Sequence, residues 1–362
     1  MSSDFQGIIW LLQDAISNMK RLIFIILYIL IHHSKSNAQA DTTQWKLEFI
    51  SVNSLSNDYG PAFFKDGLIF SSDRDPGFGV KFVDSRNGMP FSSLYLVDLI
   101  SAIQTLNPEI AYKDLDAIRP SDFRSPSSND SKTIGHSSLP IKPDPLITAS
   151  KKLTKVKLAA RIFQTRYNDG PLVHAARSGD IYITRNNPQK LSAKKARAIN
   201  NLQIKILKYA GAGHYYLQDF PYNSDDFSIM HPAISLEENF LIFASDAPEG
   251  YGGTDLYYCT KTTAGWSKPI NMGSTINTKG NEQFPFIDAN GRLYFSSDGH
   301  PGKGRQDIFL AKLDHNQVWH VENMPFPINS PADDTGFIIA GRTGYLSSNR
   351  MGTDDIYRVT LK

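Results

Sequence analysis

Short apolar runs, four to six residues long, recur along this chain and are separated by Gly, Asp, Asn and Pro. Four of them share one pattern: apolar, then small hydroxyl or small residues, then Asp or Asn. They are Phe70-Ser71-Ser72-Asp73, Phe243-Ala244-Ser245-Asp246, Phe295-Ser296-Ser297-Asp298 and Leu346-Ser347-Ser348-Asn349, with a fainter copy at Ile183-Thr184-Arg185-Asn186. The steps between copies are 60, 52 and 51 residues from Ile183 onward, and 113 from Phe70 to Ile183. Each copy follows another apolar segment across a turn such as Lys65-Asp66-Gly67 or Asp288-Ala289-Asn290-Gly291. Asn-Gly and Asp-Gly between apolar runs predict hairpins, because these residues tolerate positive φ.

A third segment follows each copy: Leu94-Tyr95-Leu96-Val97, Ile204-Lys205-Ile206-Leu207, Leu256-Tyr257-Tyr258, Ile308-Phe309-Leu310 and Ile356-Tyr357-Arg358-Val359. A fourth is marked by an aromatic at His214-Tyr215-Tyr216, Trp266 and Trp319. Four short strands per unit of about 50 residues is the pattern of a propeller blade. The spacing therefore predicts an all-β, five-bladed β-propeller of four-stranded blades. The fifth copy ends on its third strand. Trp45-Lys46-Leu47-Glu48-Phe49-Ile50 carries the same leading Trp as the fourth strands, so the N-terminal strand is expected to complete the last blade and close the ring.

The long interval contains a region, about 101–153, read as an insertion in one blade. Residues 107–150 hold six Pro and eight Ser without apolar alternation, which argues against a sixth blade. Residues 1–40 are set apart as a secretory signal peptide: Lys20 and Arg21, ten apolar residues from Leu22 to Ile31, then Ala38-Gln39-Ala40. Met19 directly precedes the basic pair and is an alternative start. Ten apolar residues fall short of the roughly 20 that span a bilayer, so no transmembrane segment is expected in the mature chain. Residues 41–362 are then the propeller, in a periplasmic or outer-membrane-associated protein.

Composition adds mainly exclusions. A formal net charge of +2 gives no field to recruit nucleic acid. The basic groups Lys151, Lys152, Lys155, Lys157 and Lys190, Lys194, Lys195, Arg197 are not interleaved with aromatics and read as solvated loops. Cys259 is the only cysteine, so no internal disulfide forms, and its mid-strand place reads as core. The histidines show no zinc-type spacing, and no Gly-x-Ser-x-Gly elbow occurs.

Two acidic series need weighing. Asp246 leads to Asp255, Asp298 to Asp307 and Asn349 to Asp355. They are either a set of oxygen ligands for calcium or caps for backbone N–H groups in the hairpins. Recurrence in every clear blade favours the second. Asp58, Asp169, Asp226, Glu282 and Asp334 precede the first strands, which line a propeller's channel, and are expected to ring one mouth of it. They are either a cation or ligand site on the axis or turn chemistry. No catalytic, cofactor or metal residue is assigned.

From Tyr167 onward, segments such as Tyr167-Asn168-Asp169-Gly170-Pro171, Pro221-Tyr222-Asn223-Ser224-Asp225, Met230-His231-Pro232-Ala233 and Phe243-Ala244-Ser245-Asp246 with Gly250-Tyr251-Gly252-Gly253-Thr254-Asp255-Leu256-Tyr257 resemble the TolB-type, WD-repeat-like propellers found in envelope proteins with OmpA-like tails. The resemblance spans roughly residues 45–362, less the insertion. It implies a noncatalytic scaffold that binds an envelope protein partner, at or peripheral to the outer membrane and related to secretion machinery. The peptidoglycan-binding tail of such relatives has no counterpart before Lys362, so that role is not expected. Acids spread evenly by blade disfavour an enzyme. The alternative is a propeller-type glycoside hydrolase or carbohydrate-binding protein, for which unrepeated carboxylates in an axial pocket would speak.

Overall fold

The computed structural model describes residues 44–74, 91–106, 154–165, 167–186 and 201–362. The expected signal peptide, residues 107–153 of the expected insertion and the basic group from Lys190 to Arg197 lie outside the described residues. Trp45–Lys362 forms one compact unit of antiparallel sheets.

Those sheets are the five blades. The first holds β2 (Asp58–Phe64), β3 (Gly67–Ser72), β4 (Ser93–Val97) and β5 (Lys157–Leu158). The second holds β6 (Asp169–His174), β7 (Ile181–Asn186), β8 (Leu202–Tyr209) and β9 (Tyr215–Asp219). In the third, β10 (Ile229–Ile234), β11 (Phe240–Ser245) and β12 (Asp255–Thr262) are joined on their outer edge by two short pieces, β13 (Gly265–Trp266) and β14 (Ile270–Asn271). The fourth holds β15 (Glu282–Ile287), β16 (Leu293–Ser297), β17 (Asp307–Leu313) and β18 (Trp319–Asn323). The fifth holds β19 (Asp334–Ala340), β20 (Thr343–Ser348), β21 (Asp355–Leu361) and then β1 (Trp45–Phe49). β1 runs antiparallel to β21 from Trp45 opposite Leu361 to Phe49 opposite Tyr357, so the two ends of the ring meet within one blade.

The broken interval in the repeat has a structural reason. The first blade takes its fourth strand from Lys157–Leu158, far along the chain from β4, within a stretch whose lysines suggest only loop. Lys157 there is paired with Asp98 at 2.7 Å. Residues 100–102 form a single 3-10 turn, and Thr105 bridges to Ile50.

Second strands are buried almost throughout because both of their faces pack on neighbouring blades; every residue of β3 and β7 is buried. The core lies between blades. Phe64, Ile69 and Leu94 meet Leu172, Ile181 and Ile183; Ile204 and Tyr182 meet Leu241 and Phe243; Ile308 and Tyr294 meet Phe337 and Leu346. Fully burying each such side chain contributes about 1.5–3 kcal/mol. Cys259 is part of the layer between the second and third blades, and burial pushes its thiol up to about 12.

A polar staple ties four of the blade junctions. Asn53, Asn223, Asn277 and Asn329 each accept from the N–H, and donate to the C=O, of one third-strand residue: Ile356, Ile204, Leu256 and Ile308. In the first blade Gln164 donates to Leu94 O at 2.9 Å in the corresponding place. The amide oxygens pair N–H groups near the starts of the third strands, where an unpaired buried group would cost about 1–3 kcal/mol, while the carbonyls of Ile204, Leu256 and Ile308 also accept from Phe220, Met272 and Met324 N–H.

Candidate functional site

Four of the five acids expected at the channel mouth take equivalent places. Asp58, Asp169, Glu282 and Asp334 open β2, β6, β15 and β19, and all are fully buried. Each carboxylate accepts from the backbone N–H and the hydroxyl of the residue four positions earlier: Ser54, Thr165, Thr278 and Ser330. Three are paired with an arginine, at 2.5 Å for Arg74–Asp58, 2.9 Å for Arg185–Asp169 and 2.6 Å for Arg350–Asp334. Glu282 takes a bond from Ser297 Oγ instead, at 2.7 Å. Burial pushes Asp58 above the usual carboxylate range and Asp169 up to about 6, in both cases against the pull of the arginine. The structure does not bring Asp226 to this place. Asp226 is exposed on the preceding connection, and Ile229 stands opposite Ser245 where the other blades have an acid. Asp226 stands two residues after Ser224, where the other acids stand four after the corresponding Ser or Thr, and the connection to β10 is one residue longer, so Ser228 and Ile229 take the places at the strand start.

The other acidic series lies in the hairpins and connections. Asp298 accepts from Asn281 N and Nδ2 at 2.6 and 2.8 Å, and Asp246 accepts from Ser228 N at 2.5 Å. Asn349 has the roles reversed, accepting from Asp333 N and donating to Asp333 Oδ2. Asp255 accepts from Tyr251 N at 2.5 Å and from Asn271 Nδ2 at 2.8 Å; Asp307 accepts from Lys303 N and Gly304 N at 2.7 and 2.9 Å. Asp355 is buried at the start of β21, opposite Ser348. Among the described residues, no group of three or more His, Cys, Asp or Glu side chains is arranged to hold a metal ion.

The site that stands out is on the axis, where the sequence pattern gives no acid. β2, β6, β10, β15 and β19 neighbour one another in turn, and β19 returns to β2. Their inner faces and following turns line a cavity of about 430 Å³. That lies near the lower end of the about 300–1,000 Å³ typical of small-molecule sites. Its walls are mostly proline and aromatic or aliphatic side chains, including Pro61, Phe63, Pro171, Phe286 and Phe337.

Every first strand carries a one-residue bulge against its second strand. The bulge needs a left-handed backbone, and three blades supply glycine: Gly60 at φ +59°, Gly170 at +94° and Gly336 at +61°. At Gly60 a Cβ would come within 2.8 Å of Pro171 Cγ, and at Gly170 within 2.3 Å of Ser71 Oγ. The third and fourth blades place His231 and Phe284 there instead, at φ +53° and +50°. Non-glycine residues in this region are strained by about 1–3 kcal/mol, and such strain concentrates at ligand sites.

The two rings stack, with centroids 4.0 Å apart and planes 16° from parallel. The bulge N–H groups explain why the pair forms where it does. Gly60, His231 and Gly336 donate to Ser347, Thr184 and Ser296, each a second-strand hydroxyl of the preceding blade. The corresponding residue before Phe284 is Ala244, which has none. Phe284 N–H donates to His231 Nδ1 at 3.4 Å instead. His231 is 9 % exposed, and burial pulls its imidazole down to about 3, so it is neutral at ordinary pH.

Polar groups enter from the turn after β15. Asp288 accepts from Arg292 Nε at 2.6 Å and from the N–H groups of Asn290 and Arg292. The pair thus brings balanced charge to the cavity rim, with Asn290 exposed beside it. His174, on the wall formed by β6, is pulled below the usual imidazole range chiefly by burial and lies tilted against Phe64, with ring centroids 5.1 Å apart. Sequence reasoning passes over His231, Phe284, Asp288 and Arg292. The signal that could find them is the departure of His231-Pro232 and Phe284-Pro285 from Gly60-Pro61 and Gly170-Pro171.

No protein-family model matches the chain, and no curated protein matches it by sequence. Solved structures share the fold. A gluconolactonase from Xanthomonas campestris is 14 % identical, over 88 % of this chain and 90 % of that one, with a TM-score of 0.42. A thermostable family-43 glycoside hydrolase is 8 % identical over 85 % and 89 %, with a TM-score of 0.43. TolB from Acinetobacter baumannii is 9 % identical over 91 % and 67 %, with a TM-score of 0.38. The likeness is one of fold. It corrects two expectations from the sequence, that the chain is a noncatalytic protein-binding scaffold and that it is not an enzyme. Two of these structures are of enzymes. The repeated acids are internal ties of the blades, and chemistry, where a propeller has it, is to be sought at unrepeated residues. No helix among the described residues is long and apolar enough to cross a membrane.

Proposed function

We propose that the axial cavity is a carbohydrate site, which makes the chain a carbohydrate-binding or carbohydrate-processing propeller. The observation that carries this reading is the His231–Phe284 stack, held at two strained bulge positions where the other blades have glycine. A sugar ring offers apolar C–H faces and a rim of hydroxyls. Phe63, Phe286 and Phe337 supply apolar and aromatic wall for the former; Asp288, Asn290 and Arg292 supply polar partners for the latter. Glycoside hydrolysis by paired carboxylates requires two acids about 5–9.5 Å apart. Asp288 is the carboxylate that lines the cavity among the described residues, so binding is the part of the reading that the geometry supports directly.

The test is binding of a panel of neutral mono- and disaccharides followed by calorimetry and ligand-observed NMR, with product release monitored in the same samples. Binding in the micromolar to millimolar range is expected, and Phe284→Gly, which fits the left-handed backbone, should abolish it while leaving the fold intact. Absence of binding across the panel, or full binding by the Phe284→Gly variant, would remove the reading.

The cellular setting belongs to the same proposal. The basic-then-apolar segment from Lys20 to Ile31 supports export, and the repeat resemblance supports kinship with the TolB-type, WD-repeat-like propellers of the envelope.

A further inference from the structure

Among the described residues that line the cavity, His231 carries a side-chain donor that the fold itself leaves unused. His231 Nδ1 accepts from Phe284 N–H, so the neutral ring carries its proton on Nε2. Among the described residues, no side chain or carbonyl accepts that Nε2–H. The ring is nine-tenths buried and lines the cavity. Nε2 is not among the fully buried unpaired polar atoms, so it is open to the cavity that the ring lines, and the glycines in three other blades offer no such donor. The charged groups at the cavity, Asp288 and Arg292, satisfy each other at 2.6 Å. A ligand carrying a net charge would therefore enter without a free counter-charge, and burying an unpaired charge is strongly unfavourable.

Resting on the carbohydrate reading above, we propose that His231 is the specificity-determining donor of the cavity, and that its Nε2–H selects uncharged sugars presenting a ring or hydroxyl oxygen over their carboxylate counterparts. The imidazole stays neutral because burial, with no charged neighbour contributing, disfavours its protonation. It thus offers a dipolar donor and not a cation, which suits a neutral oxygen and gives a carboxylate little advantage.

Two measurements on the whole protein test this. The first is the long-range ¹H–¹⁵N spectrum of the wild-type histidines, which reports the tautomer without any ligand. An Nε2–H ring is expected for His231; an Nδ1–H ring or an imidazolium at neutral pH would overturn the proposal. The second is titration with methyl β-D-glucopyranoside and methyl β-D-glucuronide, into wild type and His231→Phe. The phenyl ring keeps the stack, and Phe284 shows that this fold accommodates phenylalanine at a bulge with φ near +50°. Wild type should bind the glucoside at least about tenfold more tightly than the glucuronide, and His231→Phe should weaken glucoside binding by about tenfold. Equal affinity of wild type and variant for the glucoside, or preference for the glucuronide, overturns the role of His231 while leaving the cavity a sugar site. Failure of both glycosides to bind wild type overturns the sugar class and this inference together.

Discussion

At the scale of single residues, the informative ones break the repeat. His231 is the clearest, and its protonation gives a stability prediction independent of any ligand. Burial lowers its folded-state pKa from 6.5 to about 3, so the unfolded chain binds the proton more readily. The stability this contributes is complete above about pH 6.5 and is lost as the pH falls toward 3. Asp169 acts in the opposite sense. Raised to about 6, its contribution is complete below the unfolded value near 3.8 and is lost as the pH rises through 6. The two partly cancel in the wild type between pH 4 and 6. His231→Asn isolates the first, since asparagine tolerates a left-handed backbone and does not titrate. Between pH 7 and 4 the wild type should lose roughly 3 kcal/mol more than His231→Asn. Urea unfolding of both proteins at several pH values measures this; parallel pH profiles would show the ring to be less buried than described. His231 is inconspicuous in the sequence because a histidine search looks for metal spacing. What marks it is a glycine position, and that position becomes evident only when the bulge is located on the first strand.

At the scale of elements, strands and hairpins are largely legible because their signals are local. Asp288-Ala289-Asn290-Gly291 gives a turn, and Phe295-Ser296-Ser297-Asp298 ends a buried strand, as read. The less legible elements depend on partners distant in the chain. β5 has two residues and pairs with β4 across a long excursion, and nothing in Lys157-Leu158 alone marks a strand. Asp226 is misplaced for a related reason, because its position three residues before the strand start is invisible until Ile229 is seen to pair with Ser245. The asparagine staples are also elements that span the chain. Asn329 bonds both the N–H and the C=O of Ile308, at 2.8 Å each, and is fully buried. Asn329→Ala leaves the buried Ile308 N–H without a partner, while Ile308 O keeps the bond from Met324 N–H, and should cost about 1–3 kcal/mol. Asn329→Asp keeps only the acceptor and should be destabilised as well. Chemical denaturation resolves this directly; a loss below about 0.5 kcal/mol for Asn329→Ala would mean that water replaces the amide.

At the scale of the whole molecule, closure determines whether five blades behave as one. Each hydrophobic layer is shared by two adjacent blades, so opening the ring exposes a layer and not merely a strand edge. β1 is the clasp. Phe49 meets Tyr357 with ring centroids 5.7 Å apart, and Trp45 meets Phe337 at 6.1 Å, so its aromatic residues reach both the third strand and the first strand of the last blade. The leading Trp shared by Trp45, Trp266 and Trp319 makes this clasp visible in the sequence, since a strand at one end supplies what the repeat lacks at the other. Removing Trp45–Phe49 takes away at least two large side chains from that layer and uncovers β21 along its length. At about 1.5–3 kcal/mol for each buried side chain, the thermal midpoint should fall by on the order of 10 °C. The bare edge of β21 should add concentration-dependent association, because an unpaired strand is a template for another chain. Calorimetry and light scattering on a chain beginning at residue 50 distinguish the two effects. Association with an unchanged midpoint would assign β1 to edge protection alone. A lowered midpoint in a protein that stays monomeric would assign it to the packing between the fourth and fifth blades, on which the shape of the axial cavity also depends.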